Sequence, residues 1–144
     1  MRAVIQRVLE ASVAVDGRVV GALDGPGLLV LLGVTHDDGE PEVAWMARKA
    51  WELRLLRGER SASEVDAPVL VVSQFTLYGE ARKGRRPTWA AAAPGEVSEP
   101  LYDKVCAELE RLGATVTRGE FGADMQVSLV NDGPVTLVLD SPER

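Results

Sequence analysis

The last apolar stretch of the chain, Met125 to Leu139, is cut by the tetrapeptide Asn131-Asp132-Gly133-Pro134. Its flanks, Met125–Val130 and Val135–Leu139, are rich in β-branched residues and alternate roughly in polarity, as half-buried strands do. Asp-Gly suits a hairpin, because glycine accepts a positive φ without a Cβ clash, so the pattern predicts a tight turn between two strands. Pro134 adds something a hairpin does not need. It removes a backbone donor and brings the cis peptide within about 0.5–1 kcal/mol of the trans form. A Gly-Pro unit at a strand edge exposes carbonyls with very little side chain around them. It is either a plain turn or a device that reads a small substrate by steric exclusion.

The rest of the chain fits one domain, 1–144, large enough for a real core. Met1–Val8 reads as a strand, and Ser12–Val15 with Arg18–Ala22 as a hairpin closed by Asp16-Gly17. Leu28–Val34 and Val69–Val72 are continuous apolar runs, expected of strands buried on both faces. Pro41 opens a helix with Val43, Met46, Ala47, Ala50 and Leu53 on its apolar stripe. Ser98 is the expected N-cap of a second helix, which Gly113 ends. Gly58–Asp66 reads as a polar, mobile loop, Glu80–Gly95 as a long loop, and Thr115–Thr117 as a strand. The sum is an α+β domain with a mostly antiparallel or mixed sheet and two main helices.

Charge and composition narrow the function. With 16 basic and 22 acidic residues the net charge is −6, which argues against bulk attraction to nucleic acid. Yet Arg82, Lys83, Arg85 and Arg86 crowd into five positions. That loop, with Trp89 beside it, is either a solvated charge run or a phosphate clamp for single-stranded RNA. A single cysteine, Cys106, excludes an intrachain disulfide and fits a reducing compartment. No apolar run reaches the ~18 residues of a membrane span, and MRAVIQRV lacks the apolar core of a signal peptide, so a cytoplasmic location is expected.

One histidine and one cysteine, far apart, disfavour a Cys-His pair or a zinc cluster. A site without metal or cofactor would rely on hydroxyls, amides and backbone dipoles. Ser73-Gln74-Phe75-Thr76, where a buried strand turns polar, is one place for it. Such a turn can aim N–H groups and a hydroxyl at a developing oxyanion, although it can equally be no more than a strand cap. His36 reads as a solvated loop residue and Cys106 as a small buried hydrophobe.

Taken together, MRAVIQRV, SQFTLYG, RKGRRP and GEFGADMQVSLVNDGPVT, in this order, resemble the D-aminoacyl-tRNA deacylases from Met1 to about Ser141. The resemblance implies a compact barrel-like sheet with helices outside, a homodimer with a site at each subunit junction, and no metal or cofactor. It implies hydrolysis of the ester joining a D-amino acid, or glycine, to the terminal adenosine of tRNA. Gly133 and Pro134 match the family's Gly-cisPro motif, whose carbonyls reach into the partner's site and exclude L side chains. Ser73, Gln74 and Thr76, with Phe75 between them, match the SQxTL motif lining the ester. Phe121 and Met125 match the stretch around the adenosine, and Arg7 looks like the arginine that helps hold Gly-Pro. Arg82, Lys83, Arg85 and Arg86 would then meet the tRNA backbone. The missing histidine fits the family's chemistry, in which the ribose 2′-OH is thought to assist and protein amides stabilise the oxyanion. The rival mechanism, Thr76 as a covalent nucleophile, lacks a visible base. Two other functions remain open: a non-catalytic RNA-binding module and a small-molecule esterase using Thr76. One region departs from the family: a Met-Asn-x-Ser segment is replaced by Gly58-Glu59-Arg60-Ser61-Ala62-Ser63 in a shortened loop.

Overall fold

The computed structural model describes residues 1–144. Its spine is one long strand, β1 (Arg2–Val15). The first half of β1 pairs antiparallel with β3 (Gly27–Gly33), and its second half with β2 (Arg18–Ala22). The β1–β2 turn is Asp16-Gly17, both with positive φ, as its sequence requires. β3 continues in parallel to β4 (Val69–Ser73), and β4 in parallel to β5 (Val116–Arg118). The sheet then curls so that β2 returns against β5. At this near-closure a Cβ on Gly21 would lie 2.5 Å from the Arg118 carbonyl oxygen, so only glycine admits the approach. The result is a nearly closed, barrel-shaped mixed sheet.

β3 and the first four residues of β4, Val69 to Val72, are apolar throughout because both of their faces are buried. Leu28, Val30, Leu32, Val69 and Val71 pack against the helices, in one core with Ile5, Met46 and Leu109. Leu29, Leu70 and Val72 point the other way, into the barrel, against Val8, Ala11 and Val13. The helices are α1 (Glu40–Glu52), α2 (Ala62–Val65) and α3 (Gly95–Arg111). No helix is long and apolar enough to cross a membrane.

Three expectations change. Asn131–Pro134 is not a hairpin: Gln126–Asp140 is a single strand, β6, both halves of which pair antiparallel with β1. Gln6 pairs with Thr136 and Val8 with Asn131, so Arg7 alone stands opposite Asp132–Val135, which bulge out of the ladder. Local sequence cannot distinguish the two cases, since both need residues that break a ladder. The 58–66 segment is not loop throughout. It contains α2, started by Ser61, whose hydroxyl accepts the Glu64 N–H while the Glu64 carboxylate accepts the Ser61 N–H. Ser98 is not an N-cap: α3 begins at Gly95 behind Pro94, and the buried Ser98 hydroxyl donates to the Pro94 carbonyl.

Candidate active site

β4 leaves the core at Ser73, and the chain at once tightens into a 3-10 turn, Phe75–Tyr78. Gln74 N–H still donates to the Leu32 carbonyl at 2.7 Å, which anchors the turn to the sheet. Leu77 N–H is the first to bond back into the turn, to the Gln74 carbonyl at 3.2 Å. The N–H groups of Phe75 and Thr76 therefore lie ahead of the turn's ladder, as first-turn donors always do. The Gln74 side-chain amide donates to the Thr76 hydroxyl, which fixes both side chains on the same side of the turn.

Beside this turn opens a cleft of about 510 Å³. Ser73, Gln74 and Phe75 line it together with Phe121 and Met125, nearly 50 residues away in sequence but adjacent in space. Thr76 stands next to its lining through Gln74. Four aromatic rings shape the cleft. Phe75 and Trp89 meet edge to face with ring centres 5.5 Å apart, and both are about half exposed. Tyr102 and Phe121 lie 6.0 Å apart at an intermediate tilt. Exposed aromatic faces beside a polar strand end suit a flat heterocycle next to a reactive carbonyl. Sequence reasoning did not place Tyr102 here. Its hydroxyl donates to the Val71 carbonyl at 2.8 Å, and burial pushes its pKa well above that of free tyrosine. It is a rigid wall rather than a proton carrier. One turn along α3, burial pushes the Cys106 thiol up to about 11, which leaves it inert.

The basic loop leads into the cleft through Trp89. Arg82, Lys83, Arg85 and Arg86 are all exposed, and Arg82 alone of the four has an acidic neighbour, Glu80 at 3.7 Å. His36 is an exposed loop brace that donates through Nε2 to the Ala90 carbonyl at 2.7 Å.

Gly133 and Pro134 are elsewhere. The bond between them is cis, and they sit at the tip of the β6 bulge. Arg7, buried beneath, donates from Nε to the Asp132 carbonyl at 2.8 Å and from Nη2 to the Gly133 carbonyl at 3.4 Å. Asn131 donates back to the carbonyls of Arg7 and Val135. The Asp132 carboxylate takes a two-pronged contact from Arg57, Nη2 to Oδ1 at 2.6 Å and Nε to Oδ2 at 3.3 Å. Hydrogen bonding to Arg57 holds its pKa below the usual aspartate range, with Arg7 adding attraction. Sequence reasoning missed Arg57 and Asp132. A shallow hollow beside Pro134 is lined by Arg7, Arg54 and Arg57, and it shares no residue with the aromatic cleft. Within one chain, then, the expected site residues fall into two groups. Ser73, Gln74, Phe75, Thr76, Phe121 and Met125 gather at the cleft, while Arg7, Gly133 and Pro134 gather at the bulge.

A family model described as D-Tyr-tRNA(Tyr) deacylase matches residues 4–140. The chain belongs to the D-aminoacyl-tRNA deacylase family. Among the family's members, the D-aminoacyl-tRNA deacylase of Thermobifida fusca is 66% identical over 140 residues, 97% of this chain and 99% of that one. The D-aminoacyl-tRNA deacylase of Streptomyces coelicolor is 64% identical over 140 residues, with the same coverage of both chains. A solved structure named c-Myc DNA Unwinding Element Binding Protein superposes with a TM-score of 0.93 at 39% identity, covering 99% of this chain and 100% of that one. A probable eukaryotic D-amino acid tRNA deacylase superposes at 0.84 over 97% of this chain and 98% of that one; at 18% identity that likeness concerns the fold alone. D-aminoacyl-tRNA deacylase family members are hydrolases of an ester bond, so the cleft is the place to look for ester chemistry.

Proposed function

We propose that the protein hydrolyses the ester joining a D-amino acid, and glycine as well, to the terminal adenosine of tRNA, and spares L-aminoacyl esters. The observation that carries this reading is the cleft at the end of β4. There two N–H groups outside the turn's ladder, those of Phe75 and Thr76, stand beside aromatic rings able to hold an adenine. The terminal adenosine lies between Phe121, Met125 and the ring walls, and the ester carbonyl points at the turn. Water attacks the carbonyl carbon, and the oxyanion accepts from the two N–H groups. Each such donor lowers a barrier by about 3–4 kcal/mol in enzymes built this way. Collapse breaks the bond to the ribose oxygen, releasing the free amino acid and tRNA. The neighbouring 2′-OH of the RNA assists the proton transfer, which suits a site where the Thr76 hydroxyl already accepts from Gln74.

Selectivity comes from Gly133-Pro134, whose carbonyls exclude an L side chain. In one chain the bulge and the cleft share no lining residue, so a second copy supplies the bulge to each cleft. β6 suits that contact: its outer edge is unpaired, and Val130, Val138 and the neighbouring Leu9 are exposed. In this reading the chain is a single catalytic domain, acts as a cytoplasmic homodimer without metal or cofactor, and meets the tRNA backbone through Arg82, Lys83, Arg85 and Arg86.

The test is hydrolysis of matched D-Tyr-tRNA and L-Tyr-tRNA, with Gly-tRNA alongside. Loss of the D and glycyl esters with the L ester intact is expected. Equal loss of D and L esters would leave an unselective esterase. RNA binding without turnover would leave a binding module.

A further inference from the structure

We infer that Arg57 is a positioning residue for the Gly133-Pro134 bulge and, through it, a determinant of selectivity for D over L esters. The inference rests on the exclusion reading given above. A bulge that leaves the ladder loses the backbone bonds that fix a strand, so its carbonyls must be aimed by other means. From below, Arg7 takes the carbonyls of Asp132 and Gly133. That leaves the outer side. There the Asp132 side chain meets both prongs of the Arg57 guanidinium, and its Oδ2 also lies 3.3 Å from Arg7 Nε. Arg7 in turn donates from Nη1 to the Leu55 carbonyl at 3.3 Å. Leu55, Arg57, Asp132 and Arg7 thus close a ring around the base of the bulge.

The shortened loop places Arg57 there. Leu56 and Arg60 bond to each other through both backbone pairs, at 2.9 and 3.4 Å, which leaves Arg57-Gly58-Glu59 as a three-residue turn. Gly58 and Glu59 take φ of +77° and +57°, the left-handed pair that reverses the chain in so few residues. A longer loop would not have to set residue 57 against the bulge.

The magnitudes separate aim from stability. The Arg57 side chain is 71% exposed, and exposed ion pairs contribute little to folding. A planar two-pronged contact nevertheless fixes direction as well as distance, which a lysine ammonium cannot do. Loosening the outer side of the bulge lets its carbonyls retreat and an L side chain enter.

The experiment compares wild type, Arg57→Ala and Arg57→Lys on D-Tyr-tRNA and L-Tyr-tRNA, with thermal unfolding of each. Arg57→Ala should lower the D-to-L rate ratio by about 10-fold, mainly by raising the L rate, since misplacement of about 1 Å is worth up to 10²-fold. Its Tm should stay within roughly 2–4 °C of wild type, and Arg57→Lys should recover only part of the ratio. Asp132→Asn, which keeps the shape and removes the charge, should move the ratio the same way. A selective wild type with an unchanged ratio in Arg57→Ala would overturn the role of Arg57 alone, as would equal slowing of both esters together with a large fall in Tm. A wild type that cleaves both esters equally would overturn the exclusion reading and this inference with it.

Discussion

Ser73 and Gln74 stand at the end of a strand whose preceding residues, Val69 to Val72, are completely buried, whereas Gly133 and Pro134 ride on a strand without one buried residue. The cleft is held by packing, with apolar layers on both faces of β4 and a tyrosine hydroxyl beneath. The bulge is held by guanidinium groups and an amide side chain. Packing in a core is short-ranged and carries no charge, while polar fixings respond to charge, salt and pH. The cleft is therefore rigid by default, and the bulge is tunable.

Damage to the packed half should be largest and least specific. Leu70→Ala removes a fully buried side chain from inside the barrel and should cost about 2–5 kcal/mol, read as a lower urea midpoint. The protein that remains folded should keep its preference between D and L esters. A change in that preference would mean that the two regions are coupled through the barrel. Gly133→Ala should do the reverse. Its φ is not in the left-handed region, and the added Cβ would meet only Asn131 Oδ1, at 3.2 Å, so the fold should tolerate it with a Tm change of a few degrees. Turnover of D-Tyr-tRNA should fall about 10²-fold, because a methyl then stands where the substrate must pass. Retention of full turnover would remove the bulge from the site.

The smallest effect is on acid stability. The native pKa of Asp132 is depressed, so its contribution is complete above the ordinary aspartate value of about 3.9 and is lost as pH falls through the native value. The stability gap between wild type and Asp132→Asn should be constant from neutral pH down to about pH 4 and should close below that. A gap that persists in strong acid would show that shape, not charge, holds the bulge.

The same division decides what the sequence made legible. Leu28–Val34 and Val69–Val72 announce doubly buried strands because burial on both faces demands apolar residues at every position. SQFT announces a strand end because polarity begins abruptly at Ser73. The bulge is not legible locally, because Asn-Asp-Gly-Pro specifies only that a ladder breaks. Whether the next strand folds back or carries on depends on β1, more than 120 residues earlier, which no local pattern encodes. The contact between Arg57 and Asp132 is equally non-local. The 58–66 segment is different: Ser61-Ala62-Ser63-Glu64 is a capping pattern present in the sequence itself, set among polar residues. The sequence places Trp89 only beside the charges, and the fold makes it a wall of the cleft.

The pairing of β1 with β6 also joins two segments far apart in the sequence. Arg2 faces Asp140, and the N-terminal amine is held by Asp38 and Ser141. A chain still emerging from the ribosome can assemble its parallel strands and helices, but β1 keeps one edge open until β6 has emerged. Such an edge is a template for any extended segment nearby. The growing chain therefore passes through an interval in which it is almost folded and most prone to mispairing. The segment that ends this interval is the same one that carries the bulge, so a chain that stopped short of β6 would leave β1 open along one edge and lack Gly133 and Pro134 together.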